Sequence, residues 1–401
     1  MKYTRVRGTR DLIADEAARV AYLESLARDM FTRYGFREIR TPTFELAEVF
    51  QRSVGEATDI VEKEMYLFTD RKGRRLALRP EGTAGVVRAV IENNLFRDLP
   101  GAKLFYMGSM FRYERPQAGR YREFLQIGAE YFGTDRPEAD AEIVSLAWDL
   151  LEAAGLKGPR VELASLGCAA DRETYRGALE AFLAGLGTGG LCEDCERRKT
   201  RNPLRILDCK VDGERLKAAP SIESHLCEAC RRHFDDVRGC LDEMEIPAVL
   251  NWRLVRGLDY YTRTVFEIRA PAPATPGTVG PAQDALAAGG RYDALVAEMG
   301  GPPIPGVGMA LGVDRVIEAL TLRLVDLPIG VEKDVFLAAA GQVSRGLVLR
   351  ILRELRHSRL SADIVYEEKS LKSQMGLADK LKAKYVVILG EMEVRKGVAT
   401  I

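Results

Sequence analysis

Two strand-like runs, KLFYMGSMFRYER at 103–115 and EFLQIGAEYFG at 123–133, flank the short polar stretch PQAGRYR at 116–122. A connection this short joins antiparallel neighbours, because parallel strands need a crossover of about a dozen residues or more. The chain must therefore build on antiparallel sheet. Arg112, Glu114, Arg115, Arg120 and Arg122 crowd around the loop of this hairpin. Guanidinium groups match phosphate oxygens two at a time and stay charged at any working pH, so several on adjoining strands can hold a polyphosphate. The glycine-rich G-x-x-x-x-G-K-[ST] loop that would otherwise cradle phosphates is absent from the sequence. By composition alone, an exposed hairpin decorated with charge is an equal reading.

The rest of the chain supplies a frame around the hairpin. Val20, Leu23, Leu26, Ala27, Met30 and Phe31 recur at helical spacing between Glu16 and Tyr34, and Gly35 follows as a stop. FREIRTPTFE reads as a strand that ends or turns at Pro42. MYLFTD and RLALRP add short strands, and Glu138 to Ala154 carries a helical pattern. Residues 170–243 are polar, cysteine-bearing and helical in pattern, and are expected to form an insertion. NWRLVRGLDYYTRTVFEIR at 251–269 reads as strand, followed by a surface loop rich in Pro, Ala and Gly, with the next strand near Ala288. From about residue 331, strand and helix alternate: DVFLAAA, a helix over 344–357, ADIVYEE, a helix over 370–382, then YVVILG. This alternation predicts a separate small α/β domain over 331–401.

Bulk properties limit the function classes. A chain of 401 residues is too long for one ordinary core. Lys plus Arg equals Asp plus Glu at 59 each, so no global field draws in nucleic acid, and any such contact must be local. No apolar run approaches a membrane span and MKYTRVRGTRDL lacks the apolar core of an export signal, so a cytoplasmic protein is expected. The cysteine count, 7, is odd, which favours reduced thiols or a metal over a disulfide framework. Cys192-x-x-Cys195 and Cys227-x-x-Cys230 have the pair spacing of a tetrahedral four-cysteine zinc site.

In order along the chain, FREIRTPTFE, the arginine hairpin and GVGMALGVDRV at 306–316 resemble motifs 1, 2 and 3 of class II aminoacyl-tRNA synthetases. RPEGTAG at 79–85, LVRGLDYYT at 254–262 and AAGGRYD at 287–293 narrow the resemblance to the histidyl-tRNA synthetases of bacterial type. It covers essentially the whole chain. The resemblance implies an α+β fold, with a class II catalytic core of mostly antiparallel sheet flanked by helices over 1–325, interrupted by the helical insertion 170–243. Residues 331–401 would then be an anticodon-binding-like domain, shortened at EVRKGVATI where a further strand and helix are expected, with Lys369, Lys372, Lys380, Lys382 and Lys384 as a local basic face.

The same resemblance implies activation of L-histidine with ATP and Mg2+ to an adenylate, release of pyrophosphate, and transfer to tRNA(His) by a homodimer. Arg112 and Arg256 would be catalytic. Arg112, Glu114, Arg120, Phe124 and Arg315 would bind ATP, with Phe124 stacked on the adenine. Glu81, Thr83 and Gln126 would meet the polar backbone of the amino acid, Arg256 its carboxylate, and Glu130, Tyr260, Tyr261 and Tyr292 the imidazole. Arg115, Gln117 and Arg120 would touch the acceptor end of the tRNA. Taken alone, the tyrosine pair reads as strand packing and Gly289–Gly290 as a bulge. Zinc is not a general requirement of the resembled family, so the cysteines are also read as thiols packed in a helical subdomain. The alternative function is the non-catalytic regulatory subunit of ATP phosphoribosyltransferase, which keeps the fold.

Overall fold

The computed structural model describes residues 3–55, 58–96, 101–117, 119–186, 191–201, 203–209, 211–255, 257–271, 284–329 and 333–401. They divide into two compact units, Met1–Leu327 and Pro328–Ile401. The first unit is organised on an eight-stranded sheet. Its strands in chain order are β1 (Arg37–Glu38), β2 (Ala102–Phe111), β3 (Glu123–Phe132), β4 (Arg160–Ser165), β5 (Ala248–Leu250), β6 (Thr262–Arg269), β7 (Ala285–Arg291) and β8 (Gly306–Gly312). They lie side by side as β1-β2-β3-β8-β7-β6-β4-β5. From β2 through β4 every neighbouring pair is antiparallel, and only the edge strands β1 and β5 pair in parallel.

The arginine-bearing hairpin is β2–β3, paired from Ala102↔Phe132 to Phe111↔Glu123. Helix α1 (Asp15–Arg33) buries Val20, Leu23, Ala27, Met30 and Phe31 on one face. Gly35 closes it with φ +80, a conformation that costs glycine nothing and side-chain-bearing residues about 1 kcal/mol or more. Two further helices flank the sheet: α2 (Thr83–Glu92), whose N-terminal turn lines the pocket described below, and α3 (Pro137–Ala153). A separate three-stranded sheet, Phe44–Leu46, Leu67–Thr69 and Arg75–Leu78, follows β1, so the chain resumes as strand beyond Pro42.

Two sequence expectations change. The run 251–269 is strand only from Thr262; residues 257–261 turn instead. Consecutive Tyr260 and Tyr261 are both buried, at 5% and 7% exposure, together with Leu254. A strand turns successive side chains to opposite faces, so an irregular segment is what allows both rings into one core. Arg291 was not singled out within AAGGRYD, yet it is fully buried. It forms an ion pair with buried Asp140 and donates to Thr134 O at 2.9 Å, Arg136 O at 3.2 Å and Asp293 Oδ1 at 3.0 Å. A buried charge is tolerated when it is paired and hydrogen-bonded in this way, and the contact ties β7 to the start of α3.

The segment after β4 is largely helical: α4 (Ala169–Gly185), α5 (Glu193–Arg201) and α6 (Glu228–Glu243), with 3-10 turns at Pro203–Asp208, Arg215–Ala218 and Ile222–His225. Its own small core gathers Tyr175, Leu179, Leu183, Ile206, Leu216 and Ile222. Helix α7 (Val313–Leu322) leads directly out of β8.

The second unit is a parallel sheet, β9 (Val335–Ala339), β10 (Ala362–Ile364) and β11 (Tyr385–Leu389), in the order β10-β9-β11. Helices α8 (Arg345–His357) and α9 (Leu371–Lys380) make the crossovers. Thr400 pairs with Ile388 on the outer side of β11.

Candidate active site

The central strands form the floor of a cavity of about 1020 Å3, counted to its solvent-open mouth. Glycines let its polar side chains lie flat. A Cβ at Gly308 would stand 1.8 Å from Glu130 Oε2, and one at Gly82 would stand 2.2 Å from the Tyr106 ring. Gly308 faces Glu130 across the β8–β3 pair, so the strand opposite a buried carboxylate carries no side chain.

One end of the cavity is acidic and phenolic. Glu81 Oε2 accepts the Thr83 backbone N–H at 2.7 Å and Oε1 accepts that of Ala84 at 2.8 Å, capping the start of α2. Thr83 Oγ1 donates to Glu130 Oε1 at 2.6 Å, and Tyr292 Oη donates to Glu130 Oε2. Burial pushes the Glu130 carboxyl up to about 8, with the Glu81 charge adding to the rise and the two hydroxyl donors opposing it. Burial also raises Glu81, which its backbone donors partly offset. Tyr106, Tyr260 and Tyr292 are raised well above the usual phenol value by burial first, so they serve as neutral hydrogen-bonding groups. Tyr260 and Tyr261 pack with ring centroids 4.7 Å apart, and Tyr260 meets Tyr292 edge-on at 5.6 Å. Gln126 Oε1 is buried with no hydrogen-bond partner among the described residues, an acceptor available to a ligand.

The other end is cationic. Arg112 Nε donates to Pro80 O at 2.9 Å, and its guanidinium lies 5.3 Å from the Phe124 ring centroid. Arg120 Nε pairs with Glu114 Oε2 at 2.9 Å. Arg315 Nη1 donates to Ala285 O at 3.0 Å from the first turn of α7. Burial depresses Arg315 first, and the charges of Arg120 and Arg112 depress it further. Three guanidinium groups that repel one another across a shared cavity make a site for a polyanion. Asp314 fastens this end by accepting the Leu125 N–H at 2.9 Å and by pairing with Arg10.

Glu81, Thr83, Arg112, Glu114, Arg120 and Phe124 thus line the same cavity as Gln126, Glu130, Tyr260, Tyr261, Tyr292 and Arg315. Arg115 and Gln117 are exposed and lie off its lining, on the hairpin loop, where Gln117 and Arg120 exchange backbone hydrogen bonds at 3.1 and 3.0 Å. Arg256 lies outside the described residues. Tyr106 and Gly308 are cavity residues that the sequence reading missed. The available signal was Gly128, a glycine inside the second strand run, which pairs with Tyr106 and clears its ring.

The four-cysteine grouping that spacing offered for zinc is corrected. Cys192, Cys195, Cys227 and Cys230 do not share a site: Cys192 and Cys195 group with Cys209 and Asp212, whereas Cys227 and Cys230 group with Cys168 and Asp171. Each x-x pair finds its partner in a second x-x pair containing an aspartate, a combination that cysteine counting overlooks.

A family model described as histidyl-tRNA synthetase matches residues 8–316, and one described as an anticodon-binding domain matches residues 334–401. The chain is 48% identical over 403 residues to the histidine–tRNA ligase of Trichlorobacter lovleyi, covering 100% of the chain and 93% of that protein. It is 49% identical over 405 residues to the histidine–tRNA ligase of Aquifex aeolicus, covering 100% and 96%. The crystal structure of apo histidyl-tRNA synthetase from S. aureus superposes with TM-score 0.82 at 33% identity, covering 100% of this chain and 97% of that one. A Bacillus halodurans structure titled as an ATP phosphoribosyltransferase regulatory subunit/histidyl-tRNA synthetase shares the fold, with TM-score 0.70 at 20% identity over 97% and 99% of the two chains.

The Glu130 carboxyl gives a test of the pocket's electrostatics. Its pKa is raised from 4.5 to about 8 in the fold, so the native state keeps a proton that the unfolded chain releases. The contribution of this group to stability is therefore fully present below pH 4.5 and declines as pH rises toward 8. Thermal unfolding midpoints should fall more steeply across this range in the parent protein than in Glu130→Gln, and parallel profiles would contradict the raised value.

Proposed function

The chain belongs to the histidyl-tRNA synthetase family, and from that premise we propose that its cavity joins ATP to L-histidine and delivers the histidyl group to tRNA(His). The observation that supports this most directly is the convergence on one cavity of three arginines and a buried carboxyl–hydroxyl cluster.

In this reading Phe124 stacks on the adenine while Arg112 and Arg315 hold the phosphates. Glu114 and Glu267 line the cavity and both act on the charge of Arg315. Their hard oxygens suit Mg2+, which when bound neutralises phosphate charge. Gln126 and Thr83 take the amino acid's ammonium end, with Glu81 holding the turn. Glu130, protonated at neutral pH, donates to one imidazole nitrogen, and Tyr261 and Tyr292 flank the ring. A side chain without those nitrogens would leave these buried groups unpaired, at a cost of about 1–3 kcal/mol each.

A histidine carboxylate oxygen attacks the α-phosphorus, the bond to the β-phosphate oxygen breaks, and pyrophosphate leaves with the electron pair. Arg112 and Arg256 stabilise the charge that builds on the α-phosphate oxygens. A terminal ribose hydroxyl of the tRNA then attacks the carbonyl carbon and AMP departs. Arg115 and Gln117, exposed on the hairpin loop, contact the acceptor end, while exposed Lys372, Lys380 and Lys382 of the second unit contact the anticodon side. The work takes place in the cytoplasm. Among the described residues no helix is long and apolar enough to cross a membrane.

The regulatory-subunit reading is not favoured. Full-length relatives at 48% and 49% identity are named histidine–tRNA ligases, whereas the structure with the mixed title shares only the fold. A homodimer is part of the proposal. Its support is the small sheet, which leaves Phe44, Leu46 and Phe68 at 53%, 38% and 43% exposure on one face, an apolar surface suited to burial against a second copy.

Pyrophosphate exchange should depend on added histidine and not on proline or threonine; exchange with none of them would overturn the assignment. Arg256→Ala should slow that exchange about a hundredfold or more with the circular dichroism spectrum unchanged, and near-normal exchange would remove Arg256 from the reaction. Arg115→Ala and Gln117→Ala should leave exchange intact and raise KM for tRNA. Light scattering should give about twice the 44.5 kDa chain mass, and a monomer at micromolar concentration would refute the dimer.

A further inference from the structure

The helical insertion contains two four-donor clusters that the ligation chemistry does not use. Each combines three cysteines with one aspartate, and within each the donor atoms lie within 4.8 Å of one another. Each is built from two x-x pairs: Cys192-x-x-Cys195 with Cys209-x-x-Asp212, and Cys168-x-x-Asp171 with Cys227-x-x-Cys230. An x-x spacing lets two donors of a tight turn reach one ion, and two such turns complete a tetrahedron.

The distances suit an ion. Zinc–sulfur bonds of about 2.3 Å in a tetrahedron place neighbouring donors roughly 3.5–3.8 Å apart. Cys192 Sγ lies 3.6 Å from Cys209 Sγ, and Cys209 Sγ lies 3.7 Å from Asp212 Oδ2.

A second, independent observation points to a cation. Asp171 and Asp212 are each only 4% exposed, and no Lys, Arg or His among the described residues forms an ion pair with either. Backbone N–H groups offset part of the cost of burying these carboxylates, and a divalent ion would supply the cationic partner that they lack. Cys195 and Cys230 are buried as well, at 0% and 1%.

The surroundings match the charge that a filled site would carry. Three thiolates, one carboxylate and one divalent ion leave a net charge of about −2, which helix N-termini and backbone N–H groups favour. Cys168 and Cys227 are the N-cap residues of α4 and α6, and Cys192 directly precedes α5. The Cys168 and Cys227 N–H groups donate to the two oxygens of Asp171 at 3.1 and 3.0 Å. The Cys192 N–H donates to Asp212 at 2.9 Å.

Disulfides fit less well, since pairing two of three thiols leaves the third sulfur and the carboxylate without a use. The soft donor majority selects zinc over magnesium or calcium. Metal clips also suit a subdomain whose core is small and whose middle is made of 3-10 turns.

We propose that this protein binds two structural zinc ions, one held by Cys192, Cys195, Cys209 and Asp212 and the other by Cys168, Asp171, Cys227 and Cys230. Three thiol protons leave as each ion enters, so loading is pH-dependent. The inference does not depend on the ligase assignment, because its test reads metal and not activity. Full-length protein, reduced and equilibrated with zinc, then desalted, should retain about two zinc ions per chain by elemental analysis. Cys209→Ser and Cys227→Ser should each retain about one. If a variant fails to fold, cobalt(II) titration of the parent chain decides: ligand-field bands of tetrahedral thiolate–cobalt should grow to two equivalents and disappear when zinc is added. Retention well below one ion per chain overturns both sites. One ion lost in a single variant overturns the site whose variant is silent.

Discussion

The pocket turns on Thr83, where two buried carboxylates meet one residue. Its backbone N–H is held by Glu81 and its hydroxyl by Glu130, at 2.7 and 2.6 Å. These bonds fix the first turn of α2 onto the central strand β3, and so set where any ligand's polar end must lie. Burial first, with the neighbouring Glu81 charge adding to it, pushes the Glu130 carboxyl up to about 8. The pocket offers a protonated acid and neutral phenols, donors and acceptors of the kind an imidazole can satisfy.

The opposite end solves a different problem. Arg112, Arg120 and Arg315 are held close to one another by Pro80 O, Glu114 and Ala285 O. The charges of Arg120 and Arg112 add to burial in depressing Arg315, and a polyanion placed among the three would relieve that repulsion. Glycines on β3 and β8 let the sheet serve as floor for both ends, because Gly128 and Gly308 leave space for Tyr106 and Glu130.

Much of this was legible in the sequence where periodicity or charge spacing carries the information. Helix α1 follows from its apolar stripe and Gly35, and the β2–β3 hairpin follows from two apolar runs and a short polar connection. Chemistry-bearing residues such as Arg112, Glu130 and Arg315 stood in recognisable runs and converge on one cavity. Arg291 escaped notice because a buried ion pair needs its distant partner, Asp140, to make sense. The segment before Thr262 was misread because a YY pair has high strand propensity whether or not both rings face inward. The cysteine pairs were matched wrongly because spacing identifies a half-site and never says which other half folds beside it.

The central claim is that selectivity arises from buried hydrogen-bonding groups around the imidazole and not from the cavity's size. The most direct measurement compares the Kd of a non-hydrolysable histidyl-adenylate analogue with that of its phenylalanyl counterpart. The account predicts a preference of about ten-thousandfold for the histidyl compound, as expected where polar groups would otherwise go unpaired. Affinities within about a hundredfold of each other would contradict it, since apolar fit alone commands about that range.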